Sequence, residues 1–421
     1  FDFGLFSQMF YFMKETGKCL VTCERDGLLN HFAVHFSPIF YLLLPLYMLI
    51  PSPCTLLVAQ GFIVASGVLP LVLICKKFKL SNTAAGLFAV CYVLYPAFAG
   101  GCFFYLHENC FLAPLILWFI YFSEKNQTLP ASAAALLILL VKEDAAVYTA
   151  VISLYFLFSR KNCKRNLALF GISILYFITV THLMSVYGNG VMSGRYSNYI
   201  YDDGGLFTVI KAVLQNPIYT VQQIFTQEKL IFMLQMFVPL AFLPLMSKSP
   251  AKLILLIPLT LINLMTNYQY QYSIDHQYIF GSGACLMYLA AANFAELGKG
   301  RKKILLCAVL CSAILFAGGY LDKLGYVKSY QDTAYQRETI QQALSLIPDD
   351  ASVASSTFFL ANLSQRKEIY ELETTKQKAE YYVLDLRYAT DEYAADDYLN
   401  EAYITIFYEE GVVGVFKRRA S

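Results

Sequence analysis

The chain has 421 residues, a formal net charge of +2, 57% hydrophobic residues and only 15% charged ones. Soluble globular proteins carry about 25% charged residues, so this composition excludes an ordinary soluble enzyme, and the small net charge offers no footprint for nucleic acid. The apolar residues fall in runs of roughly 15–20, the length that crosses a bilayer core of about 30 Å.

In chain order the runs are 36–50, 54–75, 82–99, 109–123, 130–141, 145–158, 166–187, 229–246, 251–266, 278–296 and 303–320. The chain opens without Met on a polar-aromatic segment, and an upstream helix is expected. Residues 36–50 are short and hold Pro38 and Pro45. They read either as a span or as a half-buried helix at the membrane surface, and the mixed charges of residues 1–34 do not decide between the two. The connectors carry clusters of basic residues: Lys76, Lys77 and Lys79; Lys125; Arg160, Lys161, Lys164 and Arg165; Lys248 and Lys252; Lys299, Arg301, Lys302 and Lys303. Short loops rich in Lys and Arg stay cytoplasmic.

All of these clusters are cytoplasmic only if 130–158 crosses twice, as a hairpin whose tip is Lys142–Asp144. As one helix these 29 residues would run about 43 Å, too long for an untilted span. The tip holds three ionisable residues, Lys142, Glu143 and Asp144, and none of the Gly, Pro, Asn or Ser of a plain solvated turn. The two arms are short, so the tip is expected in a recessed, wet cavity on the outer side, where charged groups are by default functional candidates.

The same topology places His107, Glu108 and Asn109, the 188–228 loop with Arg195, and NYQYQYSIDHQY at 267–278 on the outer side. His276 and Tyr278 lie in that last stretch, and His35 precedes the first apolar run. The spacing of the five His matches no metal motif. Imidazoles beside carboxylates suit phosphate binding and proton handling as well as a loosely held divalent metal ion, so no cofactor is assigned. The eleven Cys show no metal-ligand spacing, and most sit inside apolar runs as small hydrophobes; Cys19 and Cys23 would face one another on a helix.

After Tyr320 the composition changes. QRETIQQALSLIP reads as an amphipathic helix ended by Pro348. SVASST, EIYEL, EYYVLDL, AYITIFY and VVGVFKR read as short strands, with a helical piece near 395–400. The expected organisation is a first outer loop with interfacial helices over 1–53, a transmembrane domain over 54–322 and a small α/β domain over 323–421. No nucleotide-binding loop, nucleophile elbow or dinucleotide fingerprint is present.

FDFGLFSQ at 1–8, NHFAVHFSPIFYLLLPLY at 30–47, LYPAF and FYLHEN between 93 and 109, and LLVKEDAAV at 139–147 together resemble a bacterial family of predicted membrane proteins, domain of unknown function 2079. That family in turn is similar to the GT-C glycosyltransferases, alongside protein O-mannosyltransferases and lipid A aminoarabinose transferases. The resemblance implies a polytopic α-helical membrane protein of about ten transmembrane helices plus an interfacial helix, in the bacterial plasma membrane. Its C-terminal α/β domain would lie outside the cytoplasm. It implies a glycosyltransferase moving a sugar from a polyprenyl-phosphate-linked donor to an envelope glycan, lipid or protein acceptor, with membrane lipids as its other partners. A carboxylate in the first outer loop would act as general base, and Asp2 stands at that position. It is followed by Phe3 and Gly4, where many relatives carry a second acidic residue. The residues themselves add Glu143 and Asp144 as catalytic candidates and His35, His107, Glu108, Lys142, Arg195, His276 and Tyr278 for substrate binding. Lys142 beside Glu143 reads equally as a neutralising pair. The alternative is a non-catalytic transporter or lipid flippase of the envelope. Such proteins carry broken helices at matching positions in two halves, whereas here one broken hairpin has no partner.

Overall fold

The computed structural model describes residues 1–188, 190, 193–201, 206–298, 300–388 and 395–419; Lys299 of the last basic cluster lies outside them. The helices in chain order are α1 (Asp2–Thr16), α2 (Leu44–Leu49), α3 (Pro53–Ser66), α4 (Val68–Lys77), α5 (Asn82–Val93), α6 (Pro96–Phe103), α7 (Leu112–Glu124), α8 (Thr128–Leu139), α9 (Ala146–Phe158) and α10 (Cys163–Tyr187). They continue with α11 (Leu206–Gln215), α12 (Pro217–Ile224), α13 (Gln227–Phe237), α14 (Phe280–Glu296), α15 (Arg301–Tyr320), α16 (Gly325–Asp332) and α17 (Ala334–Ser345). The chain forms two compact units. One comprises Val34–Phe40 and Ala59–Leu321; the other comprises Phe1–Ala33, Tyr41–Val58 and Asp322–Ser421.

The first unit is helical. Among the described residues, five segments are long and apolar enough to cross a membrane: Pro53–Lys77, Asn82–Phe103, Cys163–Tyr187, Gln277–Glu296 and Arg301–Asp332. The apolar window of Gln277–Glu296 is 94% buried, against 22% for Cys163–Tyr187 and for Arg301–Asp332. Thus α14 is the central helix, while α10 and α15 present apolar side chains such as Leu175, Ile178 and Ile314 outward, as lipid-facing helices do. Glycines let α14 pack closely. A Cβ at Gly281 would sit 2.3 Å from the Tyr148 ring, and one at Gly283 would sit 2.6 Å from the Phe98 ring.

Other apolar runs are shorter or broken. The run expected over 229–246 stays helical only to Phe237. Pro239 and Pro244 lack the backbone donors a continuing helix needs, and Ala241 and Phe242 turn left-handed between them. The run over 251–266 forms a 3₁₀ stretch, Pro250–Leu256, and a wide π turn, Leu259–Leu264. The stretch 130–158 is a hairpin. Asn162, just after α9, donates to the Thr128 hydroxyl at the start of α8 (2.7 Å), so α8 and α9 run antiparallel and the corner at 140–145 is the far end. With 12 and 13 residues, each arm is about 18–20 Å long, less than a bilayer core.

The second unit is α/β. Strands β1 (Leu20–Val21) and β2 (Leu29–Asn30) pair antiparallel after α1. Cys19 and Cys23 therefore flank a strand, not a helix as the sequence suggested, and both are free thiols. The strands after residue 350 are β3 (Val353–Ser355), β4 (Ile369–Glu371), β5 (Tyr381–Asp385), β6 (Tyr403–Glu409) and β7 (Val413–Arg418). Their sheet order is β4-β3-β5-β7-β6, with β3 parallel to β4 and β5, and β7 antiparallel to β5 and β6. Ile340 and Ala343 of α17 join a core with Val353, Val383, Val413 and Val415 on one face. The helical piece expected near 395–400 is one 3₁₀ turn, Ala395–Asp397.

The N-terminal segment belongs to this same unit. Gln8, fully buried, donates to the Thr22 hydroxyl (2.8 Å) and accepts from the Thr22 backbone (2.8 Å). The Thr22 hydroxyl donates to the Ile369 carbonyl and accepts from its N–H. Asp26 accepts from the Thr375 hydroxyl and the Lys376 N–H. The FDFGLFSQ motif thus has a packing role: Gly4 lies against Leu360, and Gln8 ties α1 to the Arg366 and Lys367 carbonyls just before the edge strand β4.

Candidate functional site

Within the helical unit, α7, the α8–α9 hairpin and α14 share two chemically distinct ends. One end holds Glu124, Lys161, Arg165, Lys252 and Glu296. Lys161 pairs with Glu124 (2.6 Å), Arg165 donates to Ser123 (3.0 Å), and Lys252 pairs with Glu296 (2.6 Å). The other end holds the Lys142–Asp144 corner, the turn Glu108–Phe111 before α7, and Tyr278 just before α14. The 17 residues of α14 separate the two by about 25 Å.

The corner is held on two sides. Lys142 and Glu108, 2% and 1% exposed, form an ion pair at 2.9 Å, and Lys142 also lies over the Tyr278 ring, 5.8 Å from its centre. On the other side, both Glu143 oxygens are engaged by the 34–40 segment. His35 Nδ1 lies 3.0 Å from Oε1, and the Phe36 N–H donates to Oε2 (3.1 Å). The Ile39 N–H donates to the Leu140 carbonyl (2.9 Å), extending that seam along the hairpin.

Asp144 stands differently. Its carboxylate lines a cavity of about 250 Å³, and its buried Oδ1 has no hydrogen-bond partner among the described residues. The polar wall is completed by His35, Glu143, Arg195, Tyr196 and Gln271, and the remainder is apolar, with Val147, Phe177, Leu261, Ile262 and Met265 among it. Arg195 stacks on Tyr268 (4.7 Å) and Tyr278 (5.2 Å) and makes no ion pair among the described residues. Its carbonyl accepts from the Asn267 N–H and the Thr266 hydroxyl (2.9 Å each), which fastens the 193–196 turn to the 261–278 segment. Asn263 fastens that segment in turn, donating to the Gln271 and Tyr278 carbonyls and accepting from Ser282 of α14.

These ionisable groups lie in turns between helices. Burial pushes the Asp144 carboxyl up to about 6, against the opposing pull of Lys142 and Arg195. Burial also raises Glu143 above the ordinary carboxylate range. Burial works against ionised Glu108 as well, but the charges of Lys142, His107 and His35 outweigh it and hold the carboxyl down to about 2. Lys142 is buried too, yet the surrounding carboxylates keep it above its usual value.

Of the ten residues the sequence proposed, His35, Glu143, Asp144 and Arg195 meet at this cavity. Lys142, Glu108 and Tyr278 lie behind the corner as its support. His107 and His276 flank Phe104, with ring centres 5.3 and 4.8 Å away, and are not among the cavity-lining residues. Asp2 is the first residue of α1, in the α/β unit. Sequence reasoning missed Gln271 and the apolar wall. Gln271 sits in the NYQYQY stretch already singled out, but the wall residues look like any other apolar run.

No curated protein matches the chain. Two solved structures share its fold. The crystal structure of ArnT from Cupriavidus metallidurans bound to undecaprenyl phosphate superposes with a TM-score of 0.56 at 12% identity, covering 100% of this chain and 94% of that one. The apo state of the same protein gives 0.53 at 13%, covering 98% and 92%. The model of the predicted membrane protein family DUF2079 matches residues 1–402, nearly the whole chain, and the protein belongs to that family.

Proposed function

We propose that the protein is a GT-C-type glycosyltransferase of the bacterial plasma membrane that moves a sugar from a polyprenyl-phosphate carrier to an acceptor outside the cytoplasm. The observation that carries this reading is the cavity where Asp144 and Arg195 share one wall and apolar side chains form the rest. Such a pocket matches an amphipathic anion. A guanidinium without a carboxylate partner among the described residues is suited to a phosphate oxygen, and the apolar wall suits a polyprenyl chain. The fold shared with ArnT, which binds undecaprenyl phosphate, supports the same ligand class here. Asp144 acts as general base on the acceptor hydroxyl, and Arg195 stabilises the leaving phosphate. Glu143, with both oxygens already engaged, anchors the corner. The basic cluster around Lys161 lies at the opposite end from Asp144 and faces the cytoplasm. On that orientation the cavity and the α/β unit lie outside, the short apolar helices join the five long ones in about ten crossings, and α2, with exposed Leu46, Met48 and Leu49, lies in the interface.

The test uses the full chain in lipid nanodiscs and undecaprenyl phosphate as probe. Native mass spectrometry should show the lipid retained by the wild type and weakened roughly tenfold or more in Arg195→Gln. In cells, Asp144→Asn should slow transfer by about 10²–10⁴ and raise the pool of sugar-charged carrier, with Asp2→Asn assayed beside it. A wild type that retains no undecaprenyl phosphate, or an unchanged carrier pool in Asp144→Asn, overturns the reading.

A further inference from the structure

Charges as deeply buried as Lys142 and Glu108 are costly unless paired, and the pair sits directly behind the residue assigned as base. Lys142 reaches the Glu108 turn on one side and the Tyr278 ring on the other. At 2% exposure it has no surface to offer a ligand in the cavity, whose lining omits both it and Glu108. Lys142 also lies two residues before Asp144, on the chain that carries it. We propose that Glu108 and Lys142 form a positioning pair, which fixes the hairpin corner and sets both the placement of the Asp144 carboxylate and the local charge around it, without contacting substrate. This rests on the reading of Asp144 as the base.

The groups whose charge or hydroxyl faces Asp144 are Lys142 and Glu143 in its own corner, Glu108 before α7, His35 in the 34–40 segment, Arg195 and Tyr196 in the 193–196 turn, and Tyr148 of α9. Lys142 favours ionised Asp144, and Glu108 opposes it. Their effects therefore have opposite signs, that of Lys142 being the larger, and should partly offset one another when both charges are removed.

The experiment titrates Asp144 directly by infrared spectroscopy of the full chain in nanodiscs, its protonated carboxyl band being the one missing from Asp144→Asn. Lys142→Met should raise the midpoint by about one pH unit, and Glu108→Gln should lower it by a smaller amount. The double variant should have a midpoint between those of the two single variants and should return close to the wild type in thermal stability, with Lys142→Arg wild-type-like. Undecaprenyl phosphate binding should stay within about threefold throughout. If Lys142→Met alone fails to fold, Glu108→Gln and the double variant still read the cycle. Midpoints that ignore both substitutions, or a double variant that keeps the full Lys142→Met shift, overturn the proposal. So does a tenfold loss of lipid binding in Lys142→Met, which would make Lys142 a ligand contact. The titration needs no turnover, so failure of the enzyme reading would show separately, as a wild type that binds no undecaprenyl phosphate.

Discussion

Gly4 offers a test of how the N-terminal motif is used. An added Cβ would sit 2.4 Å from Leu360 Cβ, 3.0 Å from its carbonyl carbon and 3.2 Å from Ala361 N. Ordinary carbon contacts are about 3.5–4.0 Å, so α1 would have to back away by roughly 1 Å from atoms fixed to the main chain. Overpacking of this kind costs about 1–3 kcal/mol. Replacing glycine inside a helix returns up to about 1 kcal/mol for alanine and less for valine. Gly4→Ala should therefore be mildly destabilising and Gly4→Val should cost about 2 kcal/mol. At about 1.4 kcal/mol per decade, the valine variant opens the α/β unit roughly 30-fold more often. Cys23 reports that opening: it is 4% exposed and burial pushes its thiol up to about 12, so it alkylates only when the unit opens. Peptide-resolved alkylation of the full chain should show faster labelling of Cys23 in Gly4→Val, with Cys285 of α14 unchanged. Labelling of Cys23 at the wild-type rate would mean that α1 does not need close approach to Leu360.

The raised carboxyl of Asp144 predicts a pH profile. A base must be ionised, so transfer should be full above about pH 7 and fall through a midpoint near 6 as protons are added; a flat profile between pH 5 and 8 would remove Asp144 from the proton transfer. Topology has a direct check in single cysteines introduced into a cysteine-free background. One at Tyr270, which is 40% exposed, should react with a membrane-impermeant maleimide in intact cells. One at Lys161 should react only after permeabilisation, and the reverse pattern would invert the orientation.

Much of this was legible in the residues because it is local. The hairpin followed from length and charge: two short apolar arms, three ionisable residues between them, and a basic cluster that had to return to the same side. The strands of the α/β unit were legible because short runs of Val, Tyr, Phe and Ile, which suit strands, stand between polar stretches, as in EYYVLDL and VVGVFKR. The helix break after Phe237 had a signal in Pro239 and Pro244 that the hydropathy of the run masked, whereas the left-handed turn at Ala241 and Phe242 has none in the residues themselves.

By itself the sequence determined the kind of molecule: its apolar runs must leave water, and its charged corner must find counter-charges or solvent. Tertiary structure alone decided which charges serve as support and which face the cavity. Lys142, Glu143 and Asp144 are consecutive ionisable residues, yet packing pairs the first with Glu108, engages both oxygens of the second with His35 and Phe36, and leaves a buried oxygen of the third without a hydrogen-bond partner among the described residues at the pocket wall. Those partners lie 34 or more positions away along the chain, and burial, which sets the cost of each charge, exists only once the helices have packed.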